Sequence, residues 1–578
     1  MFAAASSTAL RRAAAARLSR AVVVPRSMPL RPAVLRAAPA GVRLAHSSPD
    51  VHGKHGEHGE HGEHASESSS TPARLLLVAS LLALGPGFHY LFGDRADSPA
   101  PAPVADKPKP KIPSRPTARA ERPKPIKGVP FVPYVLIGGG TASYSAMEAI
   151  REAQPDAQIL IISEEEFVPY QRPPLSKELW FGEASNKDLI FKDWQGNERG
   201  LFYLPKEAFN IMTPDQIKLL GTNPTKVQYL ANAKVVKLNP EDQTVTLANG
   251  SRIQYARVLI ATGGTPKTLP AFETLSPEAK SRVMTYRGIE DFKRLEQIAH
   301  GKKTIAVLGG GFLGSELAVA LAGESGTRIV QAFPEDGNMG LVFPRYLTKW
   351  TTALLGRLGI DVKTQADLSA VVEKDDYLEL QFNNGVTVEA DYVVQAVGLM
   401  PNQKFAEASG LEIDAARNGI VVNAELEART NVFAAGDVTS FHDVTLGRRR
   451  VEHYDHAVMS GRLAGFNMTG AKKPYTHQSM FWSDLGPKVG YEATGIVDAK
   501  LPTMGVWAKG PHDNLFDDIG FEEFGKGVVF YLSPEKKVLG VLTWNVFGKM
   551  DLARKIIREG KVHTDVDALA KLFGINSA

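Results

Sequence analysis

Val135-Leu-Ile-Gly-Gly-Gly-Thr-Ala-Ser143 is an apolar run that ends in a glycine turn. Val135, Leu136 and Ile137 suit a short buried strand. Gly138 and Gly140 sit where a backbone turns sharply and lets a ligand approach. Residues 144–154 continue with helical spacing. Strand, turn and helix together predict a site at which helix N-terminal amides face a pyrophosphate. The pattern is G-x-G-x-x-S, with Ser143 in the third glycine's place. Such a turn also occurs without any ligand, so the rest of the chain has to decide.

A second copy follows in Thr304-Ile-Ala-Val-Leu-Gly-Gly-Gly-Phe-Leu-Gly314, where Gly309, Gly311 and Gly314 complete the pattern after a clear strand. The next apolar run, Arg328-Ile-Val-Gln-Ala-Phe333, ends at Pro334-Glu335, 24 residues beyond Gly311. An acid there accepts from a ribose diol and repels a 2′-phosphate, which favours NAD over NADP. In the first copy Gln158-Ile-Leu-Ile-Ile-Ser-Glu164 reads as a buried parallel strand, and Glu164 or Glu165 is the expected ribose acceptor, 24 residues past Gly140 in the case of Glu164. Two glycine turns, each in a strand–turn–helix setting, argue for two dinucleotide sites.

The segments between them agree. Arg257-Val-Leu-Ile-Ala-Thr-Gly263 and Asp391-Tyr-Val-Val-Gln-Ala-Val-Gly398 are parallel strand-then-glycine exits. Short alternating runs at 235–238 and 244–247, with an Asn249-Gly250 turn, predict a small antiparallel layer that leads back into the parallel sheet. Pro169-Tyr-Gln-Arg-Pro-Pro-Leu-Ser-Lys177 is stiffened by paired prolines and places Arg172 and Lys177 in one rigid segment. An arginine fork suits a phosphate, and a lysine suits the reactive edge of a flavin. Asn431-Val-Phe-Ala-Ala-Gly-Asp437 is a buried strand ending in Gly-Asp. Asp437 reads equally as an acceptor for a flavin ribityl chain or as the cap of the next helix.

The chain is 578 residues long and contains no cysteine, which excludes disulfides, thiolate metal sites and paired-cysteine redox chemistry. The net charge of +4 is uneven: residues 1–50 carry eight arginines against one aspartate, and residues 51–128 carry eleven basic against eight acidic residues. The body from 129 onward is therefore acidic, which gives a nucleic-acid surface no compositional support.

Residues 1–46 are rich in Ala, Arg and Ser without any acid, as a mitochondrial presequence is. Residues 47–73 include the repeat HGKHGEHGEHGEH, which reads as a solvated spacer rather than a metal site. Residues 74–92 predict a single short membrane anchor, apolar from Leu75 to Phe92 with Phe88, Tyr90 and Phe92 at one end. Residues 93–129 are a Pro- and Lys-rich tether.

More specific tracts are Leu446-Gly-Arg-Arg-Arg-Val-Glu-His453, Asp455-His-Ala457, Ser460-Gly-Arg-Leu-Ala-Gly465 and Gln478-Ser-Met-Phe-Trp-Ser-Asp-Leu-Gly486. With the glycine turns and Arg172-Pro-Pro-Leu-Ser-Lys177 they resemble the apoptosis-inducing factor family of flavoprotein reductases, over about residues 130–578. The resemblance implies an α/β fold with two Rossmann-like, glutathione-reductase-like domains for FAD and NAD and a C-terminal α+β interface domain. The boundaries expected are 130–266 and 399–478 for the FAD domain, 267–398 for the NAD domain and 479–578 for the C-terminal domain.

It further implies FAD on Gly138, Gly139, Gly140, Thr141, Ala142, Glu164, Glu165, Arg172, Lys177, Val235, Arg287, Asp437, His453, Tyr454 and Trp482. NAD is implied on Trp194, Gly310, Gly311, Phe312, Leu313, Glu335, Gly398, Glu452, His453, Trp482, Glu492 and Asn545. Lys177, Glu316 and His453 are the implied catalytic residues, with a Lys177–Glu316 ion pair beside the flavin. No metal is expected. Leu341 stands where the family often carries lysine, Tyr454 where it carries histidine, and the stretch 510–526 is shorter than the acidic insertion of animal members.

The function expected is an FAD-dependent NADH oxidoreductase of the mitochondrial intermembrane space, held at the inner membrane by its anchor. The resemblance implies a reduced, NAD-bound state that favours a homodimer and docking of an import or assembly partner. It also implies roles in respiratory-chain assembly and cell death, with release to the cytosol and nucleus after cleavage. DNA binding is associated with the family, and Arg448–Arg450 is the local basic patch that would serve it. The competing readings are a redox-sensing scaffold with little turnover and a membrane quinone reductase of the type II NADH dehydrogenase class.

Overall fold

The computed structural model describes residues 122–181, 188–193, 195–220, 227–323, 326–508 and 524–575. The leader, spacer and anchor stretches, nearly all of the tether, Trp194 and nearly all of 510–526 lie outside the described residues. Among the described residues no helix is long and apolar enough to cross a membrane.

The run 135–137 does form a strand, Phe131–Ile137, with Val135 and Leu136 wholly buried. It sits inside a sheet because both faces are apolar, the mark of a parallel strand covered on two sides. It pairs in parallel with Ile159–Ile162 on one side and with Arg252–Ile260 on the other. The parallel order extends to Val227–Leu230 and Phe209–Met212 at one end and to Val432–Ala434 at the other. The strand after the second nucleotide region thus returns to the first sheet. The short runs at 235–239 and 244–247 pair antiparallel and lead back into this sheet. Thr244–Leu247 pairs antiparallel with Arg252–Ile260 through the Asn249-Gly250 turn, so the hairpin is an extension of the same sheet.

The second sheet is all parallel, in the order Val283–Thr285, Tyr392–Gln395, Thr304–Leu308, Arg328–Ala332, Asp361–Lys363. Its central strand again leads into a glycine turn and a helix, Phe312–Ala322. Three antiparallel strands, Leu368–Glu373, Leu378–Phe382 and Thr387–Ala390, cover one flank.

The third sheet is antiparallel, in the order Met480–Asp484, Gly490–Gly495, Val538–Trp544, Gly527–Leu532, Thr503–Trp507. Helices Met550–Glu559 and Val566–Leu572 pack against it through Ile556, Ile557, Leu569 and neighbours. Trp544 is completely buried and stacks on Tyr491 at 5.5 Å. It is core, as is Tyr491, and not a ligand platform.

Helix Tyr454–Met468 lies tightly along helix Thr141–Ala153. A Cβ on Gly461 or Gly465 would meet the carbonyl oxygens of Ala142 and Ala146 at 2.3 and 2.4 Å. These two glycines give the first unit close helix packing, while its own third glycine position holds Ser143. The Ser143 hydroxyl is buried without a hydrogen-bond partner.

Candidate functional site

The two glycine turns are built alike. Gly138 and Gly309 adopt φ of +111° and +126°, which L side chains rarely adopt, and a Cβ there would meet the carbonyl oxygens of Ala261 and Ala396 at 2.2 and 2.3 Å. Those alanines belong to the two strand-then-glycine exits, so each turn is wedged against the equivalent neighbouring strand. Gly140 and Gly311 are the helix N-caps, make no side-chain cap, and would point a Cβ into open space. Each helix therefore starts with uncapped amides and a backbone that a ligand can touch, which is what a pyrophosphate requires.

The second turn has a brace that its glycines do not reveal. Gln331 in the neighbouring strand donates to the Gly309 carbonyl at 2.9 Å, and Asn338 donates to Gln331 at 2.8 Å and to Ser315 at 2.9 Å. All three side chains are buried. A glutamine in an otherwise apolar strand is the sequence signal for it.

At the first site, the half-exposed Glu165 accepts from Tyr170 at 2.7 Å and from Arg172. Burial raises this carboxyl, but Arg172 and Tyr170 outweigh it and hold it below the ordinary carboxylate range. Arg172 also donates to the Arg287 carbonyl at 2.9 Å, and Arg287 lies 3.5 Å from the Asp437 carboxylate. Tyr170, Glu165, Arg172, Arg287 and Asp437 thus form one connected chain, two acid–arginine pairs joined through the Arg287 carbonyl. Asp437 lies in a 3-10 turn at Gly436–Val438, and the next helix is capped by His453 instead, which removes the helix-cap reading. Glu164 is exposed and pairs with Lys234 at 3.2 Å. Val235 is buried in its strand.

Lys177 and Glu316 meet as expected, at 2.9 Å and almost wholly buried. Two partners went unread in the sequence: Ser176 donates to one oxygen of Glu316 and Ser483 to the other, each at 2.6 Å. Burial lowers the pKa of the Lys177 ammonium, but Glu316, Glu178 and Asp484 outweigh it and the net shift is upward. Two of these acids are raised: Glu178 by burial, and Asp484, by burial against the pull of Lys177, up to about 7.

The aromatic side chains of the third sheet's edge strand pack on its two faces, Phe481 on one and Trp482 on the other. Phe481 packs on Phe312 at 4.8 Å and on the His453 ring at 5.0 Å, which ties the third sheet to the second helix start and to the first unit. Tyr454 meets Trp482 edge-on at 5.5 Å, and Tyr203 donates to its hydroxyl at 3.1 Å. Tyr203 also stacks on Tyr144 at 4.2 Å and exchanges a 2.8 Å hydrogen bond with Thr141. His453 Nδ1 and Glu492 Oε2 are buried with no hydrogen-bond partner. Burial lowers His453 to about 4 and raises Glu492 to about 7. Burial thus favours the neutral form of both groups.

Other expected positions fall into place less directly. Glu335 is half-buried just past its strand, and Gly398 keeps a positive φ at the exit of Tyr392–Gln395. Glu452 pairs with Arg450 at 2.8 Å. The Asn545 amide is spent on backbone: it accepts from Gly490 and donates to Gly525, both at 2.8 Å, and to Lys488. Leu341 is 65% exposed. No group of His, Asp and Glu among the described residues could hold a metal.

Two open glycine cradles and uncapped helix starts fit a flavin dinucleotide and a nicotinamide dinucleotide. They define a two-dinucleotide flavoprotein oxidoreductase without a disulfide. Residues 132–461 match the pyridine nucleotide-disulphide oxidoreductase family, and 464–519 with 513–559 match the C-terminal region of mitochondrion-associated apoptosis-inducing factor. The putative mitochondrial apoptosis-inducing factor 1 of Drosophila melanogaster is 44% identical over 77% of this chain and 66% of its own length. The mitochondrial apoptosis-inducing factor 1 of Dictyostelium discoideum is 41% identical over 75% of this chain and 80% of its own. The fold is also that of putidaredoxin reductase in its covalent complex with putidaredoxin, with TM-score 0.61, 23% identity, 74% of this chain and 93% of that one. The chain belongs to the apoptosis-inducing factor family, with FAD and NAD(H) as its cofactors.

Proposed function

We propose that the protein takes hydride from NADH onto FAD in the mitochondrial intermembrane space, held at the inner membrane by residues 74–92. FAD supplies the acceptor for a hydride leaving the nicotinamide. The chain's own residues bind and orient the two rings. The glycine turn 138–140 with Arg172, Arg287 and Asp437 takes the flavin nucleotide. The turn 309–314 with Glu335 takes NAD. Lys177, kept charged by Glu316, presents a fixed positive charge at the flavin edge, and His453, Trp482, Phe481 and Phe312 exclude water there.

The single observation that carries this reading is the buried Lys177–Glu316 pair, since it lies where the two dinucleotide units and the third sheet meet. The mitochondrial site is supported by the names of both curated relatives and by the acid-free leader. The quinone-reductase alternative needs a free amphipathic C-terminal helix, whereas helix Met550–Glu559 spends its apolar face on the third sheet.

The reduced, NAD-bound state further favours a homodimer and docking of an import or assembly protein, with a part in respiratory-chain assembly and cell death. Anaerobic NADH titration followed by sedimentation of the same sample tests this. Reduction with a doubling of mass is expected, and reduction at unchanged mass overturns the dimer. Alkaline carbonate extraction tests the anchor: retention in the membrane fraction is expected, and release overturns it.

A further inference from the structure

The Arg448–Arg450 tract, read in the sequence as a basic patch, lines a cavity of about 410 Å³ with Arg417, Leu446 and Ile496. None of these residues belongs to either dinucleotide site. The tract lies on a hairpin in which Thr439–Asp443 pairs antiparallel with Gly447–Arg449. The cavity therefore opens between this hairpin and the end of strand Gly490–Gly495.

Four guanidiniums meet there, and backbone carbonyls hold three of them in place. Arg448 donates to the Ser440 carbonyl at 2.8 Å and Arg449 to the Gly495 carbonyl at 2.7 Å. Arg450 donates to the carbonyls of Arg417 at 2.9 Å and Asp437 at 3.2 Å. Carbonyl ties fix a guanidinium without cancelling its charge. Neutralisation is incomplete: Asp414 lies 3.6 Å from Arg417, Asp443 lies 3.5 Å from Arg449 and Glu452 lies 2.8 Å from Arg450, while Arg448 has no carboxylate within ion-pair distance among the described residues. Arg449 Nη1 faces Asp443 Oδ2 at 3.5 Å, so the donors left for a ligand are those of Arg448 and Arg417. Fixed planar forks with unused donors match phosphate oxygens, and Leu446 and Ile496 add an aliphatic wall.

We propose that this cavity is a third anion site, which binds the phosphate chain of a nucleoside triphosphate with the base against Leu446 and Ile496. The phosphates lie among Arg417, Arg448, Arg449 and Arg450. The site is separate from the NAD site and is filled independently of it.

The experiment is calorimetry on the FAD-loaded protein with NAD at saturation, using ATP and inorganic tripolyphosphate as probes. Saturable ATP binding is expected, weakened about tenfold or more in the Arg417→Ala/Arg448→Ala variant, which removes two charge-assisted contacts. FAD content and NADH reduction of that variant stay at the parental level, which shows that it folds. ATP binding more tightly than tripolyphosphate identifies the nucleotide as the ligand. Equal binding overturns the base contact and leaves a free phosphate chain as the source. Absence of saturable binding, displacement of ATP by NAD, or unchanged affinity in the double variant overturns the site itself.

Discussion

Lys177 Nζ donates to Glu316 Oε2 at 2.9 Å, in a site where both side chains are under 10% exposed. The lysine comes from the proline-stiffened segment of the first unit and the glutamate from the second dinucleotide helix. Ser483 of the third sheet holds the other glutamate oxygen. One carboxylate therefore fixes three parts of the molecule at the proposed meeting place of the two rings.

Glu316→Gln keeps the size of this side chain and removes its charge, which leaves a buried ammonium without its closest counter-ion. Breaking a buried pair from one side costs about 3–5 kcal/mol, and removing a single hydrogen bond costs about 1 kcal/mol. Urea unfolding of Glu316→Gln and Ser483→Ala should separate in that order. Equal losses would mean that the charge pair adds nothing beyond a hydrogen bond.

Gly311 and Gly314 predict opposite phenotypes three residues apart. A Cβ at Gly311 meets nothing within 4 Å, so Gly311→Ala should leave the melting temperature unchanged and weaken NADH binding. A Cβ at Gly314 would lie 2.2 Å from the Gly309 carbonyl oxygen, so Gly314→Ala should destabilise the protein by about 1–3 kcal/mol through overpacking. Thermal melts paired with NADH titrations read both.

Asp484 and Glu492 are acids whose folded pKa is raised to about 7. Their unfolded values are about 3.9 and 4.3. The native state thus holds these protons more tightly than the unfolded chain. The resulting stability is full below about pH 4 and is lost as pH rises through 7. The Asp484→Asn/Glu492→Gln variant should show a flatter melting temperature between pH 5 and 8 than the parent. Parallel profiles would contradict the assignment.

Asp455 behaves in the opposite sense. Burial raises it, but His477 at 2.7 Å, Arg554 and the Met480 amide outweigh burial and lower its pKa. Its contribution is present above the ordinary aspartate value of about 3.9 and is lost as pH falls through the depressed folded value. It joins helix Tyr454–Met468 to the third sheet, so Asp455→Asn should loosen that sheet first. Hydrogen exchange should rise in 480–495 before it rises in 131–137.

Much of this was legible in the sequence because dinucleotide chemistry constrains backbone more than side chains. Gly138, Gly309 and the acid after each strand carry spacing that few other functions need, and Lys177 sits beside prolines that fix its place. What the sequence hid are contacts between distant segments. Nothing local marks Ser483 as a partner of Glu316, Gly461 and Gly465 as the close-packing glycines for helix Thr141–Ala153, or Asp455 as the clasp for His477 and Arg554. Alternation at 235–247 shows which face is buried, and the Asn249-Gly250 turn shows that the antiparallel runs lead back into the parallel sheet. Gln331 was the one local clue left unused: a lone amide in an apolar strand needs a buried partner, and it found the Gly309 carbonyl.

Hydride transfer from NADH to the bound flavin is the central claim, and anaerobic titration of the FAD-loaded protein with NADH tests it most directly. Loss of the oxidised flavin's visible absorption is expected, complete at about one NADH per FAD and much slower in Lys177→Ala. A protein that binds FAD and NADH stoichiometrically yet keeps its oxidised spectrum would contradict it.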